Sequence, residues 1–142
     1  MSHPTLELKK AYLALRRALD ATVGSFGLTS AHFDVLQLLL HEDGLQHREL
    51  QRRLAISSPT LTNIIDVLER EGHVQRQADA HDARVKTIHM TSKARHLCSS
   101  KSFCDAGEKL VEQMFDGFSD QQAREFMTSL KKIELNLEAI TA

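Results

Sequence analysis

The feature that most constrains the fold is a short turn between two helical segments near the middle of the chain. Residues 47–55 are predicted to form a short helix, and Ile56-Ser57-Ser58-Pro59 separates it from a second helix that ends at Gly72. Ser58 is the expected N-cap of the second helix, and Pro59 would stand at its first position, where a missing N–H costs nothing. Two helices joined by such a tight turn have helix-turn-helix geometry.

Two segments that follow this unit alternate apolar and polar residues, as strands do. They are Val74-Gln75-Arg76 and the run from Val85 to Met90, and a polar stretch from Gln77 to Arg84 lies between them. Alternation of period two around a polar loop predicts a β-hairpin. A hairpin directly after a helix-turn-helix is a wing.

Amphipathic helices are predicted on both sides of this unit. Residues 5–24 carry an apolar stripe, and Thr29 is the expected N-cap of the helix that follows. One long helix is predicted from Thr91 to about Phe118. The last helix follows a capping box formed by Ser119 and Gln122. Its apolar positions recur at spacings of four and three: Phe126, Leu130, Ile133, Leu137 and Ile140.

These flanking stripes predict a homodimer, because the middle segment is too small to bury them and twofold association is common. An intramolecular helical hairpin is the alternative. We expect one domain over residues 1–142, mainly α with a small β-hairpin wing. Its winged helix-turn-helix lobe would span residues 29–91, between dimerisation helices at 1–28 and 92–142.

Composition agrees with a compact helical protein, and the distribution of charge is only a weak indication of its function. The chain has 142 residues, of which 42% are hydrophobic and 5% aromatic, and its net charge is −1. Residues 46–91 hold seven basic and six acidic side chains, a sum of +1, which is compatible with nucleic-acid binding. Without an evident signal peptide or membrane span, we expect a cytoplasmic protein with reduced cysteines.

In this order, the motifs resemble the multiple-antibiotic-resistance regulator (MarR) family of winged-helix transcription regulators. The resemblance covers nearly the whole chain. Its most specific part is the wing motif Asp82-Ala83-Arg84, a few residues before Met90-Thr91. It also includes Leu28-Thr29, the run from Glu49-Leu50 to Ser57, and the segment from Thr62 to Gly72. The resemblance implies a homodimeric repressor that binds pseudo-palindromic double-stranded DNA and responds to a small-molecule effector.

The family implies that residues 58–70 form the recognition helix. Ser58, Thr60, Thr62 and Asn63 lie off its apolar stripe and should face the major groove, where an amide such as that of Asn63 can pair with adenine. A solvated helix face is the alternative.

Arg84 would enter the minor groove or meet phosphate from the wing, and Asp82 would orient Arg84 or stabilise the hairpin. Lys86, Arg52, Arg53 and Arg76 are candidates for phosphate contacts, or for ordinary surface charges.

An effector site is implied only by the resemblance. Tyr12, Arg16, His32 and Phe33 are polar and aromatic groups near the expected junction of the dimer helices with the DNA-binding lobe. Core packing explains Tyr12 and Phe33 equally well.

Metal and redox sensing are alternatives within the same fold. The set His41, Glu42, His96, Cys104, Glu108 and Glu112 has no tight metal-ligand spacing, so no metal and no cofactor is predicted. Cys98 and Cys104 would lie about 240° apart around a single helix and could not pair within it, whereas pairing between the two subunits of a dimer stays open.

Two other classes of function stand against the regulator. The first is a small helical enzyme, but this sequence contains no recognisable catalytic motif, so no enzymatic activity is predicted. A winged-helix protein-interaction module without DNA binding stays open because the net charge is near neutral.

Overall fold

The computed structural model describes residues 2–142, and helices dominate it. Helix α1, Pro4–Val23, begins at the N-cap His3 and ends in a 3-10 turn, Gly24–Phe26. Gly27 follows with a φ of 77°, a left-handed conformation that glycine adopts without strain. Helix α2, Ser30–His41, begins with a capping box between Thr29 and His32, which confirms the N-cap predicted at Thr29.

The helix-turn-helix consists of α3, His47–Leu54, and α4, Ser58–Arg70. Ser57 is the N-cap of α4, and its Oγ accepts a hydrogen bond from the Thr60 N–H at 3.3 Å. The prediction of Ser58 as the cap is therefore wrong by one residue. Ser57 has the extended backbone that a cap requires, whereas Ser58 already belongs to the helix.

The wing is confirmed as an antiparallel hairpin of β2, Val74–Ala78, and β3, Lys86–Met90. A third strand, β1, Leu45–Gln46, pairs with the other edge of β3, with Leu45 opposite Ile88. Sequence analysis missed β1 because two residues show no alternation. Because β1 directly precedes α3, its pairing with β3 connects the start of α3 to the wing.

One hydrophobic core holds α2, α3, α4 and the sheet together. Its largest fully buried side chains are Leu36, Leu39, Leu50, Leu61, Ile65, Leu68, Ile88, Val35 and Val74. The apolar stripe predicted for α4 is thus its buried face, and the opposite face of α4 is turned to solvent.

The predicted long helix is broken into α5, Ser92–Ser99, and α6, Lys101–Met114. Ser100 interrupts it with a ψ of 148°. Its N–H donates to the Leu97 carbonyl at 3.1 Å and its hydroxyl donates to the same oxygen at 2.7 Å. A serine that bonds locally to the main chain competes with helix continuation, which is why helical periodicity alone did not reveal the break.

Helix α7, Asp120–Thr141, begins at the predicted capping box of Ser119 and Gln122. The chain divides into two compact units, one up to Gly107 and one from Glu108 onward. The division into a DNA-binding lobe and dimerisation helices stays a prediction. None of the helices within residues 2–142 combines the length and the apolar character that a membrane span needs.

Candidate nucleic-acid interface

The solvent face of α4 carries the four short polar side chains singled out from the sequence. Ser58, Thr60, Thr62 and Asn63 are all exposed, while the other face of the helix is fixed in the core. A helix anchored on one side presents its outer side chains in a constant geometry.

Two of these side chains have local partners. The hydroxyls of Thr60 and Ser57 lie 2.8 Å apart, and Thr62 Oγ1 lies 3.4 Å from Nε2 of His47, the first residue of α3. Burial lowers the pKa of His47, and the charge of Arg76 lowers it further. A neutral imidazole beside Thr62 is therefore favoured near neutral pH.

The wing tip presents one arginine far into solvent. The side chain of Arg84 is 91% exposed. Asp82 accepts hydrogen bonds from the Arg84 main-chain N–H at 3.0 Å, from its Nε at 3.1 Å and from its Nη2 at 3.1 Å. These bonds lower the pKa of Asp82 and raise that of Arg84. As predicted from the sequence, Asp82 orients Arg84. Lys86, at the start of β3, is exposed too.

Two of the candidate phosphate contacts are engaged on α3. Glu49 accepts hydrogen bonds from Arg52 Nη2 at 2.6 Å and from Arg53 Nε at 2.8 Å, and Arg53 also reaches Glu42 at 3.0 Å. The hydrogen bonds from the two arginines lower the pKa of Glu49 to about 2. Both arginines therefore share their charge with acidic neighbours before any ligand arrives.

Arg76 differs most from its sequence-based description as a phosphate contact or surface charge. Its side chain is 26% exposed, and it bonds to Asp66 and Glu69 on α4. Sequence reasoning missed this role, although signals were present. Arg76 lies two residues after the buried Val74, so both side chains point to the same face of the strand. Asp66 and Glu69 are three residues apart and therefore lie on one face of α4.

The effector candidates fall into two neighbourhoods. Hydrogen bonds from Ser30 lower the pKa of Asp20 and the charge of Arg16 adds to this effect, whereas burial raises the pKa of Asp34 and Arg16 opposes the rise only in part. Burial lowers the pKa of His32 against the charge of Glu71, and the His32 ring accepts the Thr29 N–H at 3.1 Å as part of the α2 capping box.

The two aromatic candidates also differ. Tyr12 on α1 is 57% exposed, whereas Phe33 is partly buried and packs on Phe103 with ring centroids 5.9 Å apart. Core packing thus accounts for Phe33 but not for Tyr12.

The cysteines lie on different helices because of the break at Ser100. Cys104 is exposed, and its thiol donates to the Cys98 carbonyl at 3.4 Å. The expectation that a single helix would hold them about 240° apart is wrong. Burial raises the pKa of Cys98. Within residues 2–142 there is no group of three or more His, Cys, Asp or Glu side chains arranged to hold a metal ion.

Comparisons with known proteins find sequence similarity over the middle of the chain and a shared fold over most of it. Residues 26–85 match the MarR family. Over 84 residues, 59% of this chain, it is 38% identical to the HTH-type transcriptional regulator TtmR of Methylorubrum extorquens (strain PA1), of whose length the match spans 43%.

Two solved structures extend the likeness over nearly the whole chain. A MarR transcriptional regulator from Methanosarcina mazei Go1 is 27% identical with a TM-score of 0.87, covering 96% of both chains. The S. aureus MepR–DNA complex is 19% identical with a TM-score of 0.79, covering 96% of this chain and 99% of that one.

Proposed function

We propose that this chain is a MarR-family transcription regulator, a sequence-specific repressor that binds double-stranded DNA. Two observations carry the proposal together: the exposed polar face of α4 and, in the wing, the exposed Arg84 that Asp82 orients. Similarity of fold to MepR, solved as a complex with DNA, supports it. A regulator with this ligand acts in the cytoplasm and is not an enzyme.

Roles follow from exposure and chemistry. Ser58, Thr60, Thr62 and Asn63 approach base edges in the major groove, and Asn63 pairs with adenine through its amide. Arg84 enters the minor groove or meets phosphate, because its fork is permanently charged and held by Asp82. Lys86 supplies a phosphate contact without base preference.

The active form in this proposal is a homodimer. Large apolar side chains are exposed along α1, α6 and α7: Leu6, Leu8, Tyr12, Leu13, Leu15, Val111, Met114, Phe126, Met127, Ile133, Leu137 and Ile140. A twofold dimer reads a pseudo-palindrome whose half-sites are roughly 34–36 Å apart.

A small aromatic or anionic effector would adjust this spacing. Tyr12 and Arg16 are accessible for such a ligand on α1, and His32 and Phe33 complete the proposed set.

The test is a selection of genomic fragments from the source organism by the purified protein, followed by binding to the enriched duplex. Asn63→Ala is expected to cost about 1–3 kcal/mol at one base position. Arg84→Ala is expected to weaken binding to most duplexes. Lys109→Ala, an exposed lysine on α6, is the matched control. Enrichment of no duplex by the folded protein would favour the protein-interaction module, and unchanged binding by both variants would overturn the site.

A further inference from the structure

Arg76 of strand β2 binds one face of α4 over two turns. Its Nη2 donates to Asp66 Oδ1 at 2.6 Å and to the Thr62 carbonyl at 3.5 Å, and its Nη1 donates to Glu69 Oε1 at 2.7 Å. The partners are spaced four and three residues apart, so they lie in one row along α4. A single side chain of the wing therefore forms hydrogen bonds with three residues of α4.

The main chain of Arg76 takes part as well. Its N–H donates to Glu69 Oε2 at 3.2 Å, so the two oxygens of Glu69 bind the backbone and the guanidinium of the same residue. Both groups are held in a fixed orientation by this arrangement. The planar fork of arginine can serve two carboxylates at once, which a lysine ammonium cannot do with the same geometry.

The point of attachment coincides with the residues that would read bases. Thr62 supplies a carbonyl to Arg76 and a hydroxyl to His47, and Asn63 is the next residue along α4. Arg84 lies on the same hairpin as Arg76. The rotation of α4 about its axis and the position of the wing are thus linked through one guanidinium.

We propose that Arg76 is a positioning residue for DNA recognition, which holds α4 and the wing in one register so that Thr62, Asn63 and Arg84 meet the duplex together. This inference rests on the proposed function. It departs from the description of Arg76 as a phosphate contact, since its Nη1, its Nη2 and its main-chain N–H already donate to carboxylates of α4.

Simple electrostatics and this proposal predict opposite effects at Glu69. A carboxylate close to DNA repels phosphate, so its neutralisation by Glu69→Gln should tighten binding if the residue acts only through its charge. If Glu69 holds Arg76, the same substitution weakens binding to the specific duplex. Glu71→Gln at the end of α4 is the matched control, because this carboxylate does not bond to Arg76 in the structure.

The experiment measures binding of the full chain to the duplex enriched in the selection above and to an unrelated duplex, over a range of salt. Arg76→Lys, Arg76→Gln, Asp66→Asn and Glu69→Gln are each expected to lower the ratio of specific to non-specific affinity at least about tenfold, with an unchanged salt slope on the unrelated duplex. The double variant Glu69→Gln with Arg76→Gln should be no worse than Arg76→Gln alone. Thermal unfolding identifies variants that fail to fold, for which Arg76→Lys is the conservative replacement.

Outcomes against the proposal are distinct. Tighter or equal specific binding by Glu69→Gln overturns it, as does full specific affinity in Arg76→Lys. A salt slope reduced by about one in Arg76→Gln, with equal losses on both duplexes, would assign Arg76 to phosphate instead. Wild-type protein that distinguishes no duplex would contradict the proposed function as well as this inference.

Discussion

The winged lobe and the terminal helices contain the same kinds of apolar residue at the same helical spacing, yet they differ completely in burial. Within the described residues 2–142, every buried hydrophobic residue except Val23 lies in the segment from Leu28 to Ala94. By contrast, neither α6 nor α7 contains a buried side chain. An apolar stripe indicates that a helix packs against a partner. It does not indicate whether that partner belongs to the same chain or to a second one.

The size of the difference indicates how strongly the terminal helices favour association. Full burial of one large aliphatic side chain contributes about 1.5–3 kcal/mol. In α7 the exposed fraction is 44% at Ile133, 51% at Leu137 and 76% at Ile140. In the proposed homodimer, burial of several such residues on one helix would favour association with a second chain.

The largest effect is expected for a truncation in the lobe. Leu50→Ala removes a side chain with 0% exposure, and the cavity should lower the free energy of unfolding by about 2–5 kcal/mol. Leu135→Ala, at a position 54% exposed, is the control and should change it by roughly 0.5 kcal/mol or less. Urea unfolding followed by circular dichroism measures both. Equal losses would break the comparison between the two regions.

The next effect is expected on association. Leu137→Glu places a charge in the apolar stripe of α7 and should raise the dimer dissociation constant at least about tenfold, or about 1.4 kcal/mol. Thr128→Glu adds the same charge on the opposite face of that helix. Analytical ultracentrifugation distinguishes the two. If both variants, or neither, shift the equilibrium, the stripe is not the interface.

A smaller effect is expected at the cap of α4. Ser57→Ala removes the acceptor for the Thr60 N–H and should lower the free energy of unfolding by about 1 kcal/mol. Ser58→Ala, one residue later, serves as the control and should be close to neutral. Chemical unfolding compares the two, and a larger loss at Ser58 would restore the cap expected from sequence.

The smallest effect is expected from pH. Burial is the main cause of the lowered pKa of His73, and the charge of Lys93 lowers it further. Burial also lowers the pKa of His32. The unfolded chain therefore binds protons first. The stability is fully present above the ordinary histidine pKa of about 6.5 and is lost as pH falls through it toward the lower folded pKa.

Melting temperatures between pH 8 and pH 5 test this expectation. The wild-type melting temperature should fall with acidification, and His73→Phe should show a shallower fall. The unit from Glu108 onward contains no histidine, so the effect should be confined to unfolding of the lobe. An identical pH dependence in the variant would assign the titration to other groups.

Much of the fold follows from local patterns. The two helices around Ser57, the hairpin and the caps at Thr29 and Ser119 were all predictable, because each depends on interactions within a few residues. The strand β1 and the break at Ser100 were not. A two-residue strand has no detectable period, and the break depends on which local hydrogen bonds Ser100 makes.

The candidate site divides in the same way. Exposure of Thr62 and Asn63 followed from the position of the apolar stripe on α4, and the pairing of Asp82 with Arg84 followed from their proximity in sequence. The engagement of Arg76 did not, since Asp66 is ten residues away and the bond requires the hairpin to lie against α4.

By itself, the sequence determined the helices, their caps, the hairpin and the stripe that places polar residues on the outside of α4. These features depend on backbone propensity and periodicity, which act over one or two turns. Only the tertiary structure decided that the Asp43 carboxylate accepts the Met90 N–H at 2.8 Å and pairs with Arg95 at 3.2 Å. It likewise bound Arg76 to α4. Contacts of this kind arise only after the core has brought distant segments together, and no local pattern encodes them.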